Sequence, residues 1–132
     1  MESSSTWHLA GGTGAPRRAR AWVRETLPTI VTAQHDLAPS VIADAALCVS
    51  ELVTGSLLAQ STTMTLRLLR DQRSVRLSLF DDCVTADEQD SVARAQLLGF
   101  RMIDAIVDRW GIDVSDCGRE LWVALRIGNG HR

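Results

Sequence analysis

The side chains that could do chemistry in this chain are few and scattered. Cys48, Cys83 and Cys117 are odd in number and have no C-x-x-C pair among them, a spacing that fits neither a disulfide framework nor a zinc site. His8, His35 and His131 are equally far apart. Buried reduced thiols and surface histidines account for both sets, no metal site is expected, and no Ser-His-Asp or Cys-His arrangement can be assembled. The glycine-rich "GGTG" at 11–14 lacks the Lys-Ser/Thr that would make it a phosphate loop, so it reads as a turn. What remains is acidic. Glu51 sits in a long apolar helix, where it reads as a solvated acid or the partner of an arginine. Asp81 and Asp82 close an alternating strand and open a loop, a common place for Asp.

The elements that must hold these residues follow from hydrophobic period. "TWHLAG" reads as a short edge strand with Trp7 and Leu9 turned toward a core. Pro16 suits the first turn of a helix in which Ala19, Trp22, Val23 and Thr26 share one face and Arg17, Arg20 and Arg24 another. That arginine stripe reads as a solvated face, with docking of an acidic partner as the second reading. A long core helix starts near Pro39 and Ser40, with Ile42, Ala45, Ala46, Val49, Leu52 and Val53 at helical spacing. "TMTLRLLR" and "SVRLSLF", joined by "DQR", form a hairpin; "DDCVTADEQDSVARAQ" begins as an acidic loop. "GFRMIDAIVDRWG" is helical, with Met102, Ile103, Ile106 and Val107 inward and Gly111 as terminator. "IDVS", "DCGR" and "ELWVALRI" give a last hairpin. The order strand, two helices, two strands, helix, two strands predicts an α/β two-layer sandwich, an antiparallel-rich sheet covered on one face by helices.

Size and composition bound the rest. At 132 residues the chain is expected to form one domain over residues 15–128, with 1–14 a tail that includes the edge strand and 129–132 a C-terminal tail. A net charge of −2 gives no basic field for nucleic acid or anionic lipid. No apolar run is expected to reach the roughly 20 residues of a membrane span. "MESSSTW" has neither a basic nor an apolar signal region, so a cytoplasmic location is expected. All 14 basic residues are Arg and Asn129 is the only Asn, a bias that suggests a GC-rich bacterial genome.

With its elements in this order, the chain resembles the GHKL (Bergerat) ATPase fold in its small, histidine-kinase-like form, the anti-sigma-factor serine kinases and their actinobacterial relatives. The resemblance rests on "SELVT" at 50–54, "FDD" at 80–82, "GFRMIDAIVDRWG" at 99–111 and "GRELWVAL" at 118–125, and spans roughly 15–127. Four features carry that family's chemistry. The first is Glu-x-x-x-Asn on one helix face, where Glu serves as general base and Asn holds Mg²⁺ on the triphosphate; Glu51 matches, but Gly55 stands at the Asn position and supplies no oxygen. The second is Asp-x-Gly-x-Gly, whose Asp reads adenine; Asp81 remains, while Cys83 and Thr85 replace the glycines that let the base approach. The third is a Gly-x-Gly-Leu turn for phosphate at a helix start; Gly99 remains, with Leu97 and Phe100 at its other positions. The fourth is Gly-x-x-Thr; Gly118 remains, with Glu120 at or beside the Thr site, where it would repel phosphate.

The resemblance therefore implies a scaffold with damaged chemistry, since phosphoryl transfer depends on positioning and on metal neutralisation of charge. No catalytic residue is expected beyond a vestigial Glu51. Asp81, Gly99 and Gly118 would be vestigial cofactor contacts, and no cofactor is expected. The implied function is that of a pseudokinase: a regulator of transcription that binds a sigma factor, an anti-anti-sigma factor or another regulator. The alternative is an ATP-binding serine/threonine kinase that tolerates its departures. The family also implies pairing through the first strand and helix, as a homodimer or heterocomplex, which makes Trp7, Arg17, Arg20 and Arg24 the candidate interface.

Overall fold

The computed structural model describes residues 4–31, 37–83 and 101–127. Its elements run β1 (Ser4–Leu9), α1 (Ala15–Ile30), α2 (Pro39–Leu58), β2 (Met64–Asp71), β3 (Ser74–Asp81), α3 (Arg101–Ile106), β4 (Arg109–Ser115) and β5 (Gly118–Arg126). This is the order and type of elements the hydrophobic pattern implies. The strands form a five-stranded sheet in the order β1-β2-β3-β5-β4, and every neighbouring pair is antiparallel.

Strand alternation divides the sheet into two unlike faces. Leu66, Leu68, Leu77, Leu79, Leu121 and Val123 point to one side and are fully or almost fully buried. Against them pack α1, through Ala19, Val23 and Leu27, and α2, through Ala45, Val49, Leu52 and Val53. Trp7 and Leu9 of β1 share this face as expected, and the Trp7 indole stacks on Trp22 of α1 at 5.7 Å. On the opposite face Arg67 and Phe80 are exposed, Arg76, Glu120 and Trp122 are half-buried, and only the small Ser78 and Ala124 are buried. The helices thus cover one face of the sheet, which makes a two-layer sandwich.

Several local expectations need correction. α2 is 20 residues long and passes the length and composition of a membrane span, because its few polar residues interrupt the apolar run without lowering its mean hydropathy far. Its apolar residues nevertheless belong to this core, and half of its span is buried within the fold. The helical reading of residues 99–111 also extends too far. The helix stops at Ile106, and Arg109–Ser115 pairs with β5 as a strand. Trp110, Ile112 and Val114 alternate toward the core, so period two prevails over the helical period there. Met102, expected inward, is 55% exposed, whereas Ile103 is fully buried. Trp110 ties the short helix to the sheet by donating from its indole to Asp104 at 2.7 Å.

Gly111 consequently terminates no helix. It lies opposite Trp122, and a Cβ placed on it would fall 2.7 Å from the indole ring. The ring is held from its other partner by the Arg76 guanidinium, 4.2 Å from the ring centroid. Gly111→Ala should therefore overpack this row and lower stability by about 1–3 kcal/mol, measured by urea denaturation with tryptophan fluorescence.

Candidate functional site

The carboxyl end of β3 gathers the acidic residues singled out by the sequence. Alternation from Leu77 and Leu79 turns Asp81 to the helix side, where an isolated carboxylate would be strongly disfavoured. Its side chain is fully buried beside a 6% exposed Arg119 from β5, the residue opposite in register. Arg119 Nε donates to both carboxylate oxygens at 3.1 Å. Ser56 Oγ of α2 donates to Oδ2 at 2.8 Å, and the Cys83 backbone N–H donates to Oδ1 at 3.1 Å. The single Arg119 Nε–H is shared between the two oxygens, and the Ser56 hydroxyl and the Cys83 amide add one donor to each. Asp81 is thus a structural node joining β3, β5 and α2.

Asp82 has the opposite role. Its carboxylate faces the loop after α2, where it accepts from the Thr62 hydroxyl and from the N–H groups of Thr62 and Thr63, at 2.8 and 3.3 Å for the latter two. These bonds, led by the Thr62 side chain, hold its carboxyl below the ordinary carboxylate range. A lowered folded-state pKa means that this anchor contributes above the ordinary Asp value and is lost as the pH falls through the lowered one.

Gly118 begins β5 at φ +151°, with no room for a side chain: an added Cβ would lie 2.1 Å from the Asp81 carbonyl oxygen. Close approach of two strands explains this glycine without a ligand. Glu120 also departs from expectation. Alternation sends it to the exposed sheet face, away from Asp81, where it meets Arg76 at 2.9 Å and accepts from Ser78 at 2.8 Å. Glu51 is half-buried on α2, four residues before a buried Gly55. Among the described residues no arginine forms an ion pair with Glu51. An added Cβ on Gly55 would meet no atom within 4 Å. Gly99, with Thr85, Leu97, Phe100 and the acidic run after Asp82, lies outside the described residues.

The N-terminal residues divide differently. Arg17 and Arg24 are exposed, whereas Arg20 is half-buried and donates to Ser50 Oγ of α2 at 2.8 Å. Arg20 therefore does not belong to a solvated stripe. Trp7 has its packing partner in Trp22, so its order needs no second chain. Arg18 donates to the Ala10 carbonyl at 2.6 Å and closes the glycine-rich turn over its own backbone.

Among solved structures, the chain is similar to the crystal structure of the RsbU and RsbW domains of Rv1364c from Mycobacterium tuberculosis. The match has a TM-score of 0.65 at 21% identity, and covers 97% of this chain and 34% of that one. At this identity the similarity shows the fold alone, an antiparallel sheet covered on one face by helices, as the resemblance implies. No protein-family model and no curated protein matches the chain. Among the described residues, Ser56 of α2, Asp81 at the end of β3 and Arg119 at the start of β5 are brought together, while the third motif lies outside them. Sequence reasoning missed Arg119 and Ser56. One signal was available for Arg119, which shares its parity with Leu121, Val123 and Leu125, so that a charge falls at a core position and demands a buried partner.

Removing one member of a buried pair leaves an uncompensated charge, whereas removing both leaves a polar gap. Arg119→Met should cost about 3–5 kcal/mol in urea denaturation. Adding Asp81→Asn to that variant should recover part of the loss, giving a coupling energy of at least about 1 kcal/mol.

Proposed function

We propose that this chain is a non-catalytic, anti-sigma-factor-like regulator that acts through protein–protein contacts in transcriptional control and carries a degenerate nucleotide site. The observation that carries the reading is the Asp81–Arg119 pair. Asp81 stands where the resemblance puts the adenine-reading carboxylate, and its acceptor sites are taken by Arg119, Ser56 and the Cys83 amide. An adenine amino group would compete there with three donors already around the carboxylate, and displacing Arg119 would rupture a buried ion pair at a cost of about 3–5 kcal/mol. One neutral hydrogen bond returns about 0.5–1.5 kcal/mol. Gly55 adds the second deficit, since no side-chain oxygen projects toward a metal from its place on α2. The described residues therefore do not fit Mg·ATP, and no phosphoryl-transfer step is assigned to them.

The similarity of fold to a structure containing an RsbW domain supports the choice of partner class, a sigma factor or an anti-anti-sigma factor. A homodimer or a heterocomplex through β1 and α1 is part of the same proposal. Of the candidate interface residues, Arg17 and Arg24 are exposed, while Trp7 stacks on Trp22 and Arg20 donates to Ser50.

Isothermal titration with millimolar Mg·ATP should give no saturable heat; a micromolar dissociation constant would restore the kinase reading. Gly55→Asn alone should transfer no phosphate to a partner, because catalytic parts that act together are not additive.

Charge reversal at Arg17 and Arg24 should weaken self-association or partner capture at least tenfold in sedimentation or affinity measurements, with circular dichroism and melting unchanged. Unaltered association would place the interface outside α1.

A further inference from the structure

The uncovered face of the sheet carries a hollow that the fold itself does not fill. Ser78 of β3 pairs with Arg67 on one side and with Trp122 on the other. A small residue between two large ones leaves a depression, here of about 370 Å³, lined by Arg67, Leu69, Arg76, Ser78, Phe80 and Glu120.

The charges of this hollow do not balance. Arg76 is committed: its guanidinium pairs with Glu120 at 2.9 Å and lies 4.2 Å from the centroid of the Trp122 ring. Glu120 also accepts from Ser78 at 2.8 Å. Two guanidinium groups and one carboxylate leave a single positive charge in excess, and it resides on Arg67. Arg67 is exposed and has no hydrogen-bond or ion-pair partner among the described residues. Beside it the surface is apolar. Leu69 is half-buried, and Phe80, 37% exposed, is the one aromatic side chain left exposed among the described residues.

Spacing adds to charge. Arg67 and Leu69 are consecutive residues on one face of β2, about 6.5–7 Å apart along the strand. Alternate side chains of an extended peptide have the same separation.

We propose that this hollow docks an acidic segment of a partner protein. An extended stretch would set a carboxylate on Arg67 and an aliphatic side chain, two residues on, against Leu69 and Phe80. The guanidinium offers a planar fork for the carboxylate, and the apolar pair excludes water beside it, which strengthens the contact. A single-stranded nucleic acid fits less well. The Trp122 ring is covered by Arg76 and lies against Gly111, so it offers no open face to a base. Glu120 and Asp113, opposite each other in the next row, would meet successive phosphates. The hollow lies across the sheet from α1 and α2, so this site stands apart from the regulatory reading and from the contact on Arg17 and Arg24.

The test is a titration of the ¹⁵N-labelled whole chain with a capped synthetic peptide of alternating glutamate and valine. The same peptide with glutamine for glutamate, and an oligouridylate, are titrated in parallel. The expected result is a saturable shift of the Trp122 indole N–H with a Kd below about 1 mM, while the indole signals of Trp7 and Trp22, behind the sheet, stay in place. Added salt should weaken binding, because Arg67 is exposed. The glutamine peptide and the oligouridylate should give no saturable shift. Arg67→Glu should raise the Kd at least about tenfold. Arg73→Glu makes the same change of charge on the exposed hairpin turn and should leave the Kd within about twofold. Both variants should keep the dispersed spectrum of the folded chain, since both side chains are exposed. No saturable shift with the glutamate peptide, equal binding of the glutamine peptide, preference for the oligouridylate, shifts confined to Trp7 and Trp22, or equal weakening by Arg73→Glu would each overturn the proposal.

Discussion

The buried Asp81–Arg119 ion pair is the constraint around which this end of the sheet is organised. Both groups are almost completely removed from water, so each would be unaffordable without the other. Such a pair adds little net stability relative to an apolar filling, because desolvation offsets most of the attraction. What it imposes is geometry. It fixes β3 against β5 at one register, draws Ser56 and therefore the second half of α2 onto the sheet, and requires glycine at 118 so that the strands can approach.

The same pair links fold to function. The fold brings a helix face, a strand end and a glycine-initiated strand to one place, and ligand chemistry there depends on which acceptors remain free. In this chain Arg119 and its neighbours occupy the acceptors of Asp81, while Gly55 leaves the helix face without an oxygen. The charge chemistry of the site is turned inward. The exposed charge lies elsewhere, on Arg17 and Arg24 of α1 and on the uncovered sheet face, where Arg76, Trp122 and Glu120 form a second polar cluster.

Much of the architecture was legible because the apolar periods were clean. α2 declared itself through Ala45, Val49, Leu52 and Val53, and β2 and β3 through the alternation of Leu66, Leu68, Leu77 and Leu79. Gly111 misled for a specific reason. Met102, Ile103, Ile106 and Val107 carry a helical period up to a glycine that resembles a terminator, yet that glycine makes room for the Trp122 indole in β4. Of the candidate site, Glu51, Asp81 and Gly118 were visible as types at characteristic spacings. Arg119 and Ser56 were not, because their roles arise only when β5 and α2 are set against β3. The Glu120 contacts with Arg76 and Ser78 were hidden for the same reason: which face a strand residue takes depends on the register, and a shift of one residue reverses it.

The central claim is that Arg119 engages Asp81 in a closed, buried pair at the position to which the resemblance assigns adenine reading. The most direct measurement is the Arg119 Nε–H resonance in ¹⁵N-labelled protein, followed by hydrogen exchange and during titration with Mg·ATP. A slowly exchanging signal that does not move at millimolar nucleotide is the expected result. A rapidly exchanging Nε–H, or one that shifts saturably with ATP, would show that the pair is open to solvent or yields to nucleotide, and would contradict the account.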